Sequence, residues 1–435
     1  MHKSFPILPL CRGLIAGMAF LSAALNAQTP GTSSALPTEL QWPGTVFKSV
    51  TVTPPEASTL VLPMLELGAD QQLKVGFDDV ADRDLNLRYR LTLCQLDASF
   101  SPTGLNEIEY IDGPNALYVE SSELSMATRV NYAHYEFNIP ADYQKLKKSG
   151  LYKAEIYDAD APDRVLLTVP FLVCEPLANI SASVFPSKNV AERIRRQQLA
   201  VDVRLTDGLR LVSPEQSLKV YAVQNLNWRT ARRLPLQYST GNTYYYQDKP
   251  ELVFDGLNEF RNFDIRSLDY AGRGVQRLEL DAVGVWHAFL YDQTSRLGDS
   301  YIQTDDIDGR FVIKLNHSQN SETEADYAHV HFFFNYPFHP DQKLYVTGDF
   351  NNWRTDDASR LYYDGDLNLY TTALVLKQGF YDYMVLLENA QGKQYVPMEN
   401  NFQETENDYY ILVFYREPGG RHDRLIGVQH LNTRE

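Results

Sequence analysis

The chain has 435 residues, room for two to four domains at roughly 100–200 residues each. Hydrophobic residues make up 44% and charged residues 22%, which excludes an intrinsically disordered chain. With 56 acidic residues against 40 basic ones the formal charge is −16, which sets most of the surface against nucleic acid and anionic lipid as main partners.

At the N-terminus, Lys3 and Arg12 precede the apolar run Gly13–Leu25, and the small residue Ala27 follows. A positive flank, a short apolar stretch and a small residue describe a cleaved export signal over residues 1–27. The run is too short to cross a bilayer, and no later stretch approaches about 20 apolar residues, so no membrane-spanning helix is expected. Cys11 lies before the apolar run, where a lipid-modified cysteine does not stand. The segment carries two basic and no acidic residues, so the mature chain is expected at −18.

Beyond residue 45 the chain reads as strands. Leu73, Val75 and Phe77 alternate with Lys74, Gly76 and Asp78; Tyr135, Phe137 and Ile139 alternate with Glu136 and Asn138. Leu199, Val201, Val203 and Leu205 alternate with Ala200, Asp202 and Arg204. Val330, Phe332, Phe334 and Tyr336 follow the same rule, as do Tyr381, Tyr383, Val385 and Leu387. Apolar residues at every second position give half-buried strands, and Gly, Pro, Asn and Asp clusters between them give turns. Only Asp142–Lys148 and Asn189–Gln197 suggest short helices. The pattern predicts an all-β protein of tandem immunoglobulin-like antiparallel β-sandwich domains.

The Pro-bearing stretch Cys174-Glu175-Pro176 closes a first unit at 45–176, and the acidic stretch Asn316–Asp326 separates a middle unit, 177–316, from a third, 327–416. Residues 28–44 and 417–435 read as loosely held ends. Cys94 and Cys174 remain after export; they form one disulfide or sit apart as two small buried residues.

Chemistry is sparse. No phosphate loop, nucleophile elbow or zinc helix is present. Thr304–Gly309 resembles a calcium loop only faintly, since Thr304 and Leu315 stand at the first and twelfth ligand positions. His329 and His331 share a strand face near His339, without a clear carboxylate or thiolate partner for a metal. Neither a cofactor, a metal nor an enzymatic activity is expected. The charge pattern says more: residues 188–233 hold ten basic and four acidic residues, +6 within a chain whose remainder carries −24. Such a segment is a solvated face or a docking patch for an acidic partner, with Arg229, Arg232 and Arg233 as candidates. The Tyr244-Tyr245-Tyr246 run is either a second docking candidate or a cross-strand aromatic cluster.

Residues 60–175 resemble the plug-protein domain of the type IX secretion system of Gram-negative bacteria. The likeness rests on an ordered series: Val61–Gly68, Leu73–Val80 with Phe77-Asp78-Asp79, Tyr89–Cys94, Tyr110–Gly113, Asn131–Tyr135, Ser149–Tyr152 and Leu166–Val173. Leu93 and Phe100 stand where the family pattern has His and Trp. The resemblance implies a non-enzymatic periplasmic protein, monomeric when free, that closes the inner mouth of a large outer-membrane translocon barrel.

In the third unit, Leu344–Trp353 and Gly379–Tyr383 resemble glycogen- and starch-binding β-sandwich modules. That likeness implies an alternative function, carbohydrate binding through Trp353, Tyr383 and Tyr395, because flat aromatic faces stack on sugars. Met384 and Tyr395 depart from the Lys and Trp usual in those modules.

Overall fold

The structure, a computed structural model, describes residues 47–54, 61–81, 85–97, 99–119, 121–206, 209, 211, 213–388 and 395–434. The export signal and the segment 28–44 lie outside them. The described part is all-β, built of mainly antiparallel sheets with a few parallel pairings, and its helices have no more than four residues.

Period-2 patterning becomes sheet wherever one face is buried. Leu73, Val75 and Phe77 point into a core from the strand Leu73–Asp79, which pairs with Phe47–Thr53 on one side and Ala133–Ile139 on the other. Ser121–Leu124 completes this four-stranded sheet. It packs on one half of a nine-stranded sheet, formed by Leu87–Cys94, Gly150–Asp158 and Val165–Cys174 with short edge strands. The aromatic pairs Tyr89–Phe137 and Phe77–Tyr135 bridge the strands of this first sandwich.

The other half of the nine-stranded sheet holds Leu218–Gln224, Asn227–Leu234, Asp408–Tyr415 and Arg424–Asn432. A five-stranded sheet led by Ala178–Pro186 and Arg196–Leu205 covers it. A third core lies within an eleven-stranded sheet whose central strands are Tyr327–Asn335, Leu369–Lys377 and Gly379–Glu388.

Three expectations change. The terminal segment 417–435 is not loose: Arg424–Asn432 pairs along its length with Asp408–Tyr415, and Leu425 and Ile426 are buried. Through Cys174 and Leu425 it joins the two halves of the nine-stranded sheet. Neither short helix forms. Lys145–Leu146 pairs as strand with Ile111–Asp112, and residues 189–195 make a turn before the strand Arg196–Leu205 begins.

Of the two readings of the cysteines, the separate one holds. Cys94 and Cys174 are free and buried. Leu151 lies opposite Cys94 on one side and Leu172 on the other, so a whole strand separates the two cysteines. Two interstrand spacings come to about 10 Å, beyond the ~7 Å a disulfide spans. Burial pushes both thiols up to about 12.

Candidate docking surface

The side chains with the most unusual surroundings tie the first sandwich to the eleven-stranded sheet that holds the third core, hereafter the third sheet. Asp78 has no exposed surface. Its Oδ2 accepts from Lys377 Nζ at 2.6 Å and from Tyr327 OH at 2.7 Å, while its Oδ1 meets His134 Nδ1 at 2.7 Å. Lys377 also donates to the carbonyl of Glu322 at 2.6 Å and lies 4.2 Å from the Tyr132 ring centre. Backbone N–H groups of Arg129 and Val130 hold the Asp326 carboxylate at 2.8 and 3.0 Å. Burial draws the Lys377 ammonium below its ordinary range, with Asp78 opposing that shift. Burial also works against a charged His134 ring, but its bond to Asp78 and the Glu136 carboxylate 3.8 Å away outweigh it and raise its pKa. A buried charge persists only when paired and hydrogen-bonded, so these contacts specify one relative placement of the two parts.

Sequence reading passed over Asp78, Lys377 and Tyr327 as residues with a joint role. The available signal is a phase conflict: Asp78 stands on the polar phase of a strand whose other set is apolar, yet it is fully buried.

The docking candidates divide by strand geometry. Successive strand residues point to opposite faces. Tyr244 and Tyr246 enter the core beneath the five-stranded sheet, whereas Tyr245 faces outward and stacks on the exposed Tyr238 at 4.5 Å between ring centres. Arg232 lies over the Phe254 ring at 4.4 Å and donates to the Val253 carbonyl; burial lowers its pKa. Arg233 is exposed and reaches the Glu215 carbonyl at 3.1 Å. Arg229 is partly exposed, bonds Thr355 Oγ1 at 3.2 Å and lies 5.5 Å over the Tyr395 ring. The fold therefore leaves Arg229, Arg233 and Tyr245 at the surface and makes Arg232, Tyr244 and Tyr246 part of the packing.

The aromatic residues of the third unit are placed unlike a sugar platform. Trp353 is 3% exposed and meets Phe260 edge-on at 5.9 Å. Tyr383 is equally buried, against Phe263 and Phe332. Only Tyr395 keeps an exposed part, and Arg229 covers it. A ring in the core has no face free for stacking.

His329 and His331 do share an outer face, as their alternation implies, but their neighbour is His287 rather than His339. His287 Nδ1 and His331 Nε2 are 2.8 Å apart, and the His331 ring stacks on Phe289 at 4.4 Å. Burial takes His331 down to about 4 and also lowers His329. Among the described residues no group of three His, Cys, Asp or Glu side chains is arranged to hold a metal ion. The calcium-like stretch turns inward instead: Asp306 accepts from the Phe260 N–H at 2.5 Å, and Asp382 from those of Ile307 and Gly309 at 2.6 and 3.1 Å. Burial pushes Asp306, Asp308 and Asp382 up to about 7.

No curated protein matches the chain. Among solved structures, the chain is similar to a hypothetical protein from Parabacteroides merdae ATCC 43184, with a TM-score of 0.84 and 28% sequence identity. That likeness covers 89% of this chain and 98% of the other, so the whole architecture recurs there. Residues 47–175, the sandwich that carries Asp78 and His134, match the family model for the type 9 secretion system plug protein 1st domain.

Proposed function

We propose that the exported chain is a periplasmic plug, without enzymatic activity, that closes the inner mouth of the large outer-membrane barrel of the type IX secretion system while no cargo passes. The match of residues 47–175 to the plug-protein first domain carries this reading. A barrel wide enough for folded cargo has an aqueous lumen that leaks when idle. Sealing it demands a body that keeps its shape under load rather than one that reacts. The buried contacts of Asp78 support that requirement, because they fix the matched sandwich against the third sheet. No helix among the described residues is long and apolar enough to cross a membrane. In this reading the free plug is a monomer, binds no cofactor, and leaves the barrel by a population shift between docked and free states when cargo arrives.

Docking falls to the members of the basic segment that reach the surface, the exposed Arg233 and the partly exposed Arg229, with Tyr245 and its stacking partner Tyr238. Arginine and tyrosine suit such a role because a fork of donors and a rigid amphipathic ring bind with little loss of freedom. A tagged mature chain pulled down from solubilised outer membranes should bring with it a very large integral barrel, identified by mass spectrometry. Recovery of soluble periplasmic proteins alone would contradict the reading.

A further inference from the structure

Where the strand Phe47–Thr53 meets the third sheet, the two parts do not close completely. A cavity of about 170 Å³ remains, walled by Phe47 and Leu167 from the first sandwich and by Phe311 and Leu374 from the other side. Two cations line it, Lys48 and Arg354, and two carboxylates, Asp349 and Asp356. Arg354 is paired, its Nε donating to Asp356 Oδ2 at 2.7 Å. Lys48 is partly buried and has neither a carboxylate nor a hydrogen-bond partner among the described residues. Burial and the nearby Arg354 charge both pull its ammonium below the ordinary range. Burial pushes the Asp349 carboxyl up to about 6.

A desolvated cation beside a like charge, with no counter-ion, costs free energy. An anion placed between the two would remove that cost. The walls add the rest of a ligand site: apolar surface with a few convergent polar groups, formed where two parts of a molecule meet. We propose that this cavity binds a small amphiphilic anion, its carboxylate or phosphate head held by Lys48 and Arg354 and its apolar body lying against Phe47, Leu167, Phe311 and Leu374. The site does not depend on the plug reading. Ser49 also lines the cavity, and its hydroxyl lies 2.8 Å from that of Tyr327, which in turn bonds Asp78. Occupancy therefore bears on the same junction that Asp78 ties, and a ligand bound to both walls stabilises it by mass action.

The test is calorimetric titration of the mature chain with hexanoate, hexyl phosphate and hexylamine, together with thermal unfolding. One or both anions should bind and raise the unfolding temperature, while hexylamine does neither; the tighter of the two anions identifies the head group. Lys48→Met, which keeps the aliphatic stem, should weaken that anion about tenfold or more, as expected for losing a charge-assisted contact. Should that variant fail to fold, Arg354→Gln tests the same head-group contact. Ala358→Trp, at an exposed position of the wall, should abolish binding by filling the space. Failure of both anions to bind, equal binding of hexylamine, or unchanged affinity in Lys48→Met or Arg354→Gln would overturn the proposal.

Discussion

Asp78 and Lys377 meet at 2.6 Å with almost no exposed surface, one from the first sandwich and one from the third sheet. Removing the Lys377 ammonium leaves the buried Asp78 carboxylate with only the His134 ring and the Tyr327 hydroxyl as partners, a loss within a buried ion network that costs up to about 3–5 kcal/mol. Lys377→Met should therefore lower the stability read from a urea titration by that amount. Lys188→Met, which breaks the exposed pair with Asp248, should change it by less than about 1 kcal/mol. Equal effects of the two substitutions would show that the buried pair has no special role. The same cluster gives stability a pH dependence. His134 has its folded-state pKa raised above the ordinary 6.5, so its contribution is complete below that value and is lost as pH rises through the raised one. Glu136, with His134 at 3.8 Å and Lys74 at 3.0 Å, is taken down to about 2 from 4.5, so its contribution is present above 4.5 and lost as pH falls toward 2. The stability advantage of the wild type over His134→Gln should accordingly shrink as the pH rises above about 6.5. A gap that stays constant over that rise would remove His134 from the network. None of this was legible residue by residue, because a strand pattern says which face a side chain takes and not what lies opposite it.

Strands were the best-read level, and the misses have physical causes. Leu73–Asp79, Ala133–Ile139, Arg196–Leu205, Tyr327–Asn335 and Gly379–Glu388 all form where the sequence alternates, although Gly379–Glu388 and the end of Leu73–Asp79 are buried on both faces. Arg424–Asn432 escaped it because Leu425, Ile426 and Gly427 are all buried, on both faces of the sheet, and a strand covered on two sides loses its period of two. Gly427 suits a close approach there: a Cβ would lie 3.1 Å from Ile180 and 3.2 Å from Ala178 of the covering sheet, so those side chains would have to shift by a few tenths of an ångström. The triple tyrosine shows the converse, since its alternate burial follows directly from strand geometry once the strand is given. Truncation after Arg416 removes the strand that joins the halves of the nine-stranded sheet, along with Asp423, which holds Lys219 at 2.8 Å. The truncated chain should be aggregated or rapidly cleaved by limited proteolysis, whereas removal of the last two residues should be tolerated. A protease-resistant truncated chain would mean that the strand is dispensable.

For the molecule as a whole, composition and charge narrowed the classes, and an ordered series of short motifs identified the first sandwich, whose match to the plug-protein first domain spans residues 47–175. Surface function was less legible. Charge counting singled out Arg229, Arg232 and Arg233, but the fold uses Arg232 to cover Phe254 and leaves the other two at or near water. If the basic face docks on the barrel, Arg233→Glu combined with Tyr245→Ala should cut barrel recovery in the pull-down at least tenfold, as loss of interface anchors does, with unfolding unchanged because both side chains lie outside the core. Undiminished recovery would move the docking site elsewhere on the molecule. The central claim, that the chain stops leakage through an idle barrel, is tested most directly by dye entry. Cells deleted for the protein and otherwise intact should admit a small membrane-impermeant dye into the periplasm faster than wild-type cells, with tightness restored by the full-length chain; equal dye entry with and without the protein would contradict the account.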